Sequence, residues 1–372
     1  MTKKSASRIC FCILMATGLT SNNTRAQILS DSNAVKIVKE GIGYIYNNNY
    51  DRAEEIHSEL EKIYPGHPVN FLFKGLITYW KHYPVNPSSP ERRSFEEDLR
   101  KCIYLCEQKP YSDDHEAESC LANTSSRGLL LMFFADNDLN MSLITLGSGT
   151  YKYIRKAFDF TSYFADFFFF TGLYNYYRET YPEIYPVYKP LASMFPHGDK
   201  IKGLKEVVKS AELSIFLQAE SYSILSWIYT GFENNYIQAY YYSSKLVEIY
   251  PANLQYRAMN IKNLLLLKEY DKAEDQIINY GKRAGNGYYD AQILILSGVL
   301  QEKKYRNYDL AEQCYEKGIE AISQYGAYGN EYCGYAWLGL SRICESKGDK
   351  TCRQAYRRKG NALLDFKKVN FE

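Results

Sequence analysis

Histidine is scarce in this chain, five residues in 372, and no His-Glu-x-x-His pair occurs. Cys-x-x-Cys and Gly-x-Ser-x-Gly are absent as well, which removes the most legible metal, redox and nucleophile motifs. Neither sign of charge dominates. With 45 basic against 43 acidic residues, the chain lacks the basic excess that a phosphate backbone attracts, so no nucleic-acid partner is expected. The densest basic stretch, Lys350 to Lys359 with Arg353, Arg357 and Arg358, reads as one solvated helix face. Long apolar runs are also missing. The aromatic middle holds nothing longer than the charge-free run Phe167 to Tyr177, and a membrane-spanning helix needs roughly 20 apolar residues.

The first residues have a different character. Lys3, Lys4 and Arg8 precede an apolar run from Ile9 to Leu19, and Thr24-Arg25-Ala26 places small residues at both cleavage positions. This pattern is that of a secretory signal peptide over residues 1–26, with an uncleaved anchor as the alternative. Cys10 and Cys12 lie early in the apolar run rather than at its end, so no lipid anchor is indicated. The expected location is the periplasm or cell envelope. Removal of Lys3, Lys4, Arg8 and Arg25 with the leader leaves 41 basic against 43 acidic residues, a formal charge of −2.

Seven cysteines remain after that cleavage, an odd number that cannot all pair within one chain. Export permits disulfides without requiring them. Cys102 and Cys106 share a helix face. Cys344 and Cys352 flank a tight turn and are the candidates for a bond; buried thiols are the competing reading.

What the chain does have is repetition. Tyr50, Tyr236 and Tyr270 each stand three residues before an alanine, at Ala53, Ala239 and Ala273, and the last two alanines are 34 apart. Gly41 and Gly75 are also 34 apart, and Pro65 and Pro251 close the parallel phrases "EKIYP" and "VEIYP". Small residues at a crossing point let antiparallel helices approach, an adjacent aromatic fills the gap, and proline stops the second helix. On these marks the chain resembles the tetratricopeptide repeat family, best over Val35 to Pro68 and Ala219 to Gly281. The stretch Leu131 to Tyr280 resembles a group of exported tetratricopeptide proteins of the Bacteroidota. That resemblance implies an all-α fold, an α-solenoid of antiparallel helix pairs wound as a right-handed superhelix, and it brings no catalytic residue with it.

The reading divides the mature chain into N-terminal helix pairs over 27–110, a divergent aromatic-rich helical middle over 111–218, and C-terminal repeats over 219–372. In the second unit the proline-rich "HYPVNPSSPERRS" delays the partner helix to about Ser94 to Glu107. The middle is expected to carry helices over Ala117 to Phe134, Asn137 to Phe158, and the run "DFTSYFADFFFFTGLYNYYRE". More than half of that run is Phe, Tyr or Leu, so its helix should be buried on most sides. The proline-rich "YPEIYPVYKPLASMFPHGDK" is expected as a loop. Four extra residues between Ala273 and Ala311 are assigned to "KKYRNYD". Arg353, standing where the last unit should have a small residue, suggests a looser or capping final pair.

Candidate chemistry is thin. His57 takes an inward helix position and reads as packed. His67, His82 and His197 adjoin prolines or glycine and read as exposed loop residues. His115 and Glu118 in "DDHEAESC" share a helix face, but no further histidine stands at metal spacing, so neither a metal nor a cofactor is expected. "GSGTYKY", Gly147 to Tyr153, lacks the rest of a phosphate loop and reads as a helix approach or break. No carboxylate pair is set among apolar residues in a way that would shift its pKa.

A partner-binding role has better grounds, because stacked helix pairs enclose a concave face. Mapping the repeat's inward positions gives Tyr79, Trp227, Lys262, Tyr335 and Arg342 as groove residues, and aromatics and arginine are what interface hot spots favour. The expected function is an exported, non-enzymatic scaffold that binds a protein or peptide. The alternative is a carbohydrate or small-ligand binder using an aromatic pocket around Phe167 to Tyr177. A hydrolase with dispersed residues ranks third.

Overall fold

The computed structural model describes residues 27–108, 113–281 and 286–364, with Val369 and Phe371. The expected signal peptide lies outside them. No strand occurs among the described residues, and none of their helices is long and apolar enough to cross a membrane. The helices are α1 (Ser32–Tyr46), α2 (Tyr50–Ile63), α3 (Pro68–Lys81), α4 (Arg92–Glu107), α5 (Asp113–Asp136), α6 (Asn140–Asp159), α7 (Phe167–Ile184), the short α8 (Lys189–Ala192), α9 (Lys200–Leu213), α10 (Gln218–Gly231), α11 (Tyr236–Ile249), α12 (Leu254–Leu266), α13 (Tyr270–Gly281), α14 (Gly287–Leu300), α15 (Tyr308–Ser323), α16 (Asn330–Ser346) and α17 (Lys350–Leu364). Successive helices pack as antiparallel neighbours, α1 with α2 through α16 with α17, and α7 pairs with α9 across the short insert. The fold is an α-solenoid.

One turn is reused along the chain. Asn48, Asp138, Asn234, Lys268, Arg306 and Gly348 all have positive φ, and each stands two residues before the second helix of its pair. The left-handed residue reverses the chain. The next residue caps the new helix: Asn49, Asn235 and Asn307 accept the backbone N–H of Arg52, Gln238 and Leu310, which satisfies one of its orphan donors. Ala53, Ala239, Ala273 and Ala311 are fully buried just beyond. At Gly41 an added Cβ would collide with Phe73 and Ile56, and at Gly75 it would lie 2.7 Å from Leu99 Cδ2. The crossings are where the repeat pattern puts them.

Several expectations are revised. The aromatic run does not form one helix: α7 begins only at Phe167, after turns over Phe160 to Asp166. The expected loop is partly helical, since α7 continues through Pro182 to Ile184 and a 3₁₀ turn over Pro186–Tyr188 leads into α8. The second unit's partner helix starts at Arg92. The extra residues before Ala311 are taken up by a π-helical turn, Gln301–Tyr305, with Arg306 left-handed after it. The last pair is not loose. An added Cβ at Gly360 would lie 2.8 Å from Leu338 Cγ and 3.0 Å from the Gly334 carbonyl, so glycines take over the contact that Arg353 cannot make. Cys344 and Cys352 form a disulfide across this pair, whereas Cys102, Cys106, Cys120, Cys314 and Cys333 remain thiols.

The array also closes on itself. The Asn253 amide donates to the Tyr46 carbonyl at 3.0 Å and the Asn48 amide to the Ala252 carbonyl at 3.1 Å, so each bond joins the α1–α2 turn region to the α11–α12 turn, far along the chain. Around these bonds an aromatic seam runs between the N-terminal and C-terminal helix pairs. Tyr46 meets Trp80 and Tyr250 at 5.3 Å, Trp80 meets Tyr256 at 5.5 Å, and Tyr83 meets Tyr328 at 5.5 Å and Tyr288 at 5.8 Å. Most of these contacts are edge-on, the arrangement the ring quadrupole prefers.

Candidate functional site

The five expected groove residues occupy four separate environments. Tyr79 is 2% exposed and packs against Tyr83, Phe95 and Trp80 at 5.5, 5.6 and 5.9 Å; burial pushes its hydroxyl well above the usual tyrosine pKa. Lys262 and Tyr335 are brought together on one acid: Lys262 Nζ lies 2.9 Å from Glu331 Oε1, which also accepts the Tyr335 hydroxyl. Arg342 forms a two-point pair with buried Glu302, Nε to Oε1 at 2.7 Å and Nη2 to Oε2 at 2.8 Å. The Tyr315 hydroxyl donates to the same carboxylate at 2.7 Å. Despite burial, these donors hold Glu302 below the ordinary glutamate range. In this closed arrangement four of the five side chains face the protein's own residues.

Trp227 stands apart. It is half-buried on α10, 4.9 Å from Phe232 and 6.4 Å from Tyr177. Tyr181, Tyr185 and Tyr188 continue this ring cluster along the end of α7 and the 3₁₀ turn. Apolar side chains of the same segment point to solvent, with Val187 78% and Met194 76% exposed and Tyr188 and Ile184 about half as much. Along the stretch Phe167 to Tyr177, where an aromatic pocket is the alternative expectation, the rings are divided. Phe167, Phe170 and Tyr176 are buried core, whereas Phe168, Phe169, Tyr174 and Tyr177 are partly exposed.

The histidines are placed as follows. His57 stacks on Phe73 and its Nε2 lies 3.2 Å from the Asn70 carbonyl, as a packed residue should. His67 is 6% exposed rather than a surface loop residue: Nδ1 accepts the Val69 N–H and Nε2 lies 2.8 Å from Glu118 Oε1. Glu118 Oε2 in turn accepts the Leu29 N–H, so this acid ties the segment ahead of α1 to α3. The side chain of His115 lies outside the described residues. His82 and His197 are exposed and stand 3.4 Å from Glu91 and Glu179. Among the described residues no group of three His, Cys, Asp or Glu could hold a metal. Gly147 to Tyr153 lies inside α6, where a Cβ added at Gly147 would meet Leu131 only at ordinary contact distance.

Two single acids, outside the paired carboxylates considered from the sequence, are set among apolar residues. Asp166, fully buried, accepts the backbone N–H groups of Ile215, Phe216 and Leu217 at 3.1, 2.8 and 2.9 Å, just ahead of α10. Glu220, in the first turn of α10, accepts the Tyr46 hydroxyl, and burial of its carboxyl pushes it up to about 7. The phrases that carry them, "FADFFFF" and "IFLQAESYSIL", set a single acid in an apolar run. That signal was available, but which run would be covered was not. Family models give no match to this chain, and none of the curated proteins matches it.

Proposed function

We propose that this chain is an exported, non-enzymatic scaffold of the tetratricopeptide type, and that it holds a protein or peptide partner. The reading rests on one observation: the exposed apolar segment Ile184 to Met194 lies beside the half-buried Trp227–Phe232–Tyr181 cluster, on a frame of packed helix pairs. Half-buried aromatics flanked by exposed apolar side chains are the composition of an interaction site. A peptide with one or two apolar anchors suits it. The Cys344–Cys352 disulfide favours an oxidising compartment, in line with the leader-like first residues and an envelope location.

The test compares wild type with a Trp227→Ala, Tyr188→Ala double variant in cross-linked capture from envelope extract. Loss of a specific polypeptide, with helical circular dichroism unchanged, is the expected result. Retention of every partner by the variant would remove the proposed surface. Capture of a polysaccharide instead would move the assignment to the carbohydrate-binding alternative.

A further inference from the structure

The two halves of the array meet at a carboxyl group. Glu220 of α10 accepts the hydroxyl of Tyr46, the last residue of α1, across 174 residues of sequence. Its other oxygen, Oε2, is buried without a hydrogen-bond partner. The titratable groups around this contact are Tyr46 of α1, Tyr250 at the end of α11, Tyr256 of α12, and Asp166 ahead of α7. The charged member of that set is another acid. Asp166 gives Glu220 no relief, because its own oxygens are taken by three backbone N–H groups. A carboxyl so placed is at ease when neutral and becomes a poorly compensated buried anion when ionised.

We propose that Glu220 and Tyr46 form a pH-sensitive latch, which holds the N-terminal helix pairs against α10–α12 when Glu220 is protonated and loosens that corner of the seam when it ionises. The sign follows from the direction of the shift. Burial raises Glu220 from 4.5 to about 7 in the closed form, so the proton's contribution to closure is complete below about pH 4.5 and is lost as pH rises through about 7. Glu220 and Trp227 are two helical turns apart and therefore share a face of α10. Loosening the corner widens access to the face that carries Trp227. The latch does not depend on what, if anything, binds there.

Trp80 is the natural reporter, since its ring lies 5.3 Å from Tyr46 and 5.5 Å from Tyr256. In the full chain carrying Trp227→Phe and Trp337→Phe, Trp80 is the only tryptophan left. Acrylamide quenching of Trp80 is followed from mildly acidic to mildly alkaline pH. The expected result is a sigmoidal rise in quenching with its midpoint near the Glu220 value of about 7, abolished in the isosteric Glu220→Gln variant, which stays closed throughout. Tyr46→Phe keeps the ring but removes the hydroxyl that makes the contact, so Trp80 should already be more strongly quenched than in the parent at acidic pH. A Glu220→Gln protein that titrates like its parent, or a Trp80 signal flat with pH in the parent, would overturn the latch. Neither outcome touches the partner-binding reading, which is tested by capture.

Discussion

At the crossings of α1–α4, a side chain fills the place that glycine leaves: Phe73 and Ile56 close on Gly41, and Leu99 on Gly75. At the crossing of α7 and α9 backbone also meets backbone, with Val207 Cγ2 the one side chain beside Gly172. An added Cβ at Gly203 would lie 2.5 Å from the Tyr176 nitrogen and 2.7 Å from the Gly172 carbonyl, and one at Gly172 would lie 2.9 Å from the Gly203 carbonyl. The N-terminal repeats touch through side chains and the middle touches backbone to backbone. A side-chain contact can relax when one partner grows; a backbone contact can relax only by moving a helix. The region without a readable repeat is thus the less tolerant one.

This difference can be broken at its strongest point. Asp166 fastens the start of α7 to the segment leading into α10 by accepting three backbone donors. Asp166→Ala leaves those donors buried and unpaired, and the expected loss is about 4 kcal/mol, read as a lower urea midpoint. Gly203→Ala should cost about 3 kcal/mol through displaced backbone, whereas Gly75→Ala, which only presses Leu99, should cost about 1 kcal/mol. If the two glycine variants lose the same stability in parallel urea titrations, the distinction between the regions fails. Between them falls the C-terminal pair: Cys344→Ser should lower stability by about 2 kcal/mol, and reductant should do the same to wild type but add nothing to the variant.

Much of the solenoid was legible. Ala53, Ala239, Ala273, Gly41 and Gly75 sit at crossings because only small side chains let helices of this spacing approach, and that constraint is written directly into residue type. The α5–α6 pair uses the same turn, with Asp138 in the left-handed position, yet it carried no matching tyrosine and alanine to reveal it. The break before Phe167 was not legible either, because Phe160 to Phe170 has no proline or glycine. It arises from Asp166 turning to the distant backbone of Ile215, Phe216 and Leu217, ahead of α10.

The inward helix face was readable, but its occupant was not. Periodicity identified Tyr79, Lys262, Tyr335 and Arg342 as turned away from the outer surface, and a helix repeat can state no more than that. Whether such a face meets solvent, a partner or the far end of the same chain depends on curvature accumulated over many pairs, each adding a small rotation. The sequence alone therefore determined the helix pairs, their reversals and their points of closest approach, since these depend on residues near one another in the chain. The tertiary structure alone decided that Tyr46 would meet Glu220 and that Trp80 and Tyr83 would be covered by Tyr256, Tyr288 and Tyr328. Contacts between residues so widely separated along the chain are set by the shape of the whole stack, which no local pattern encodes.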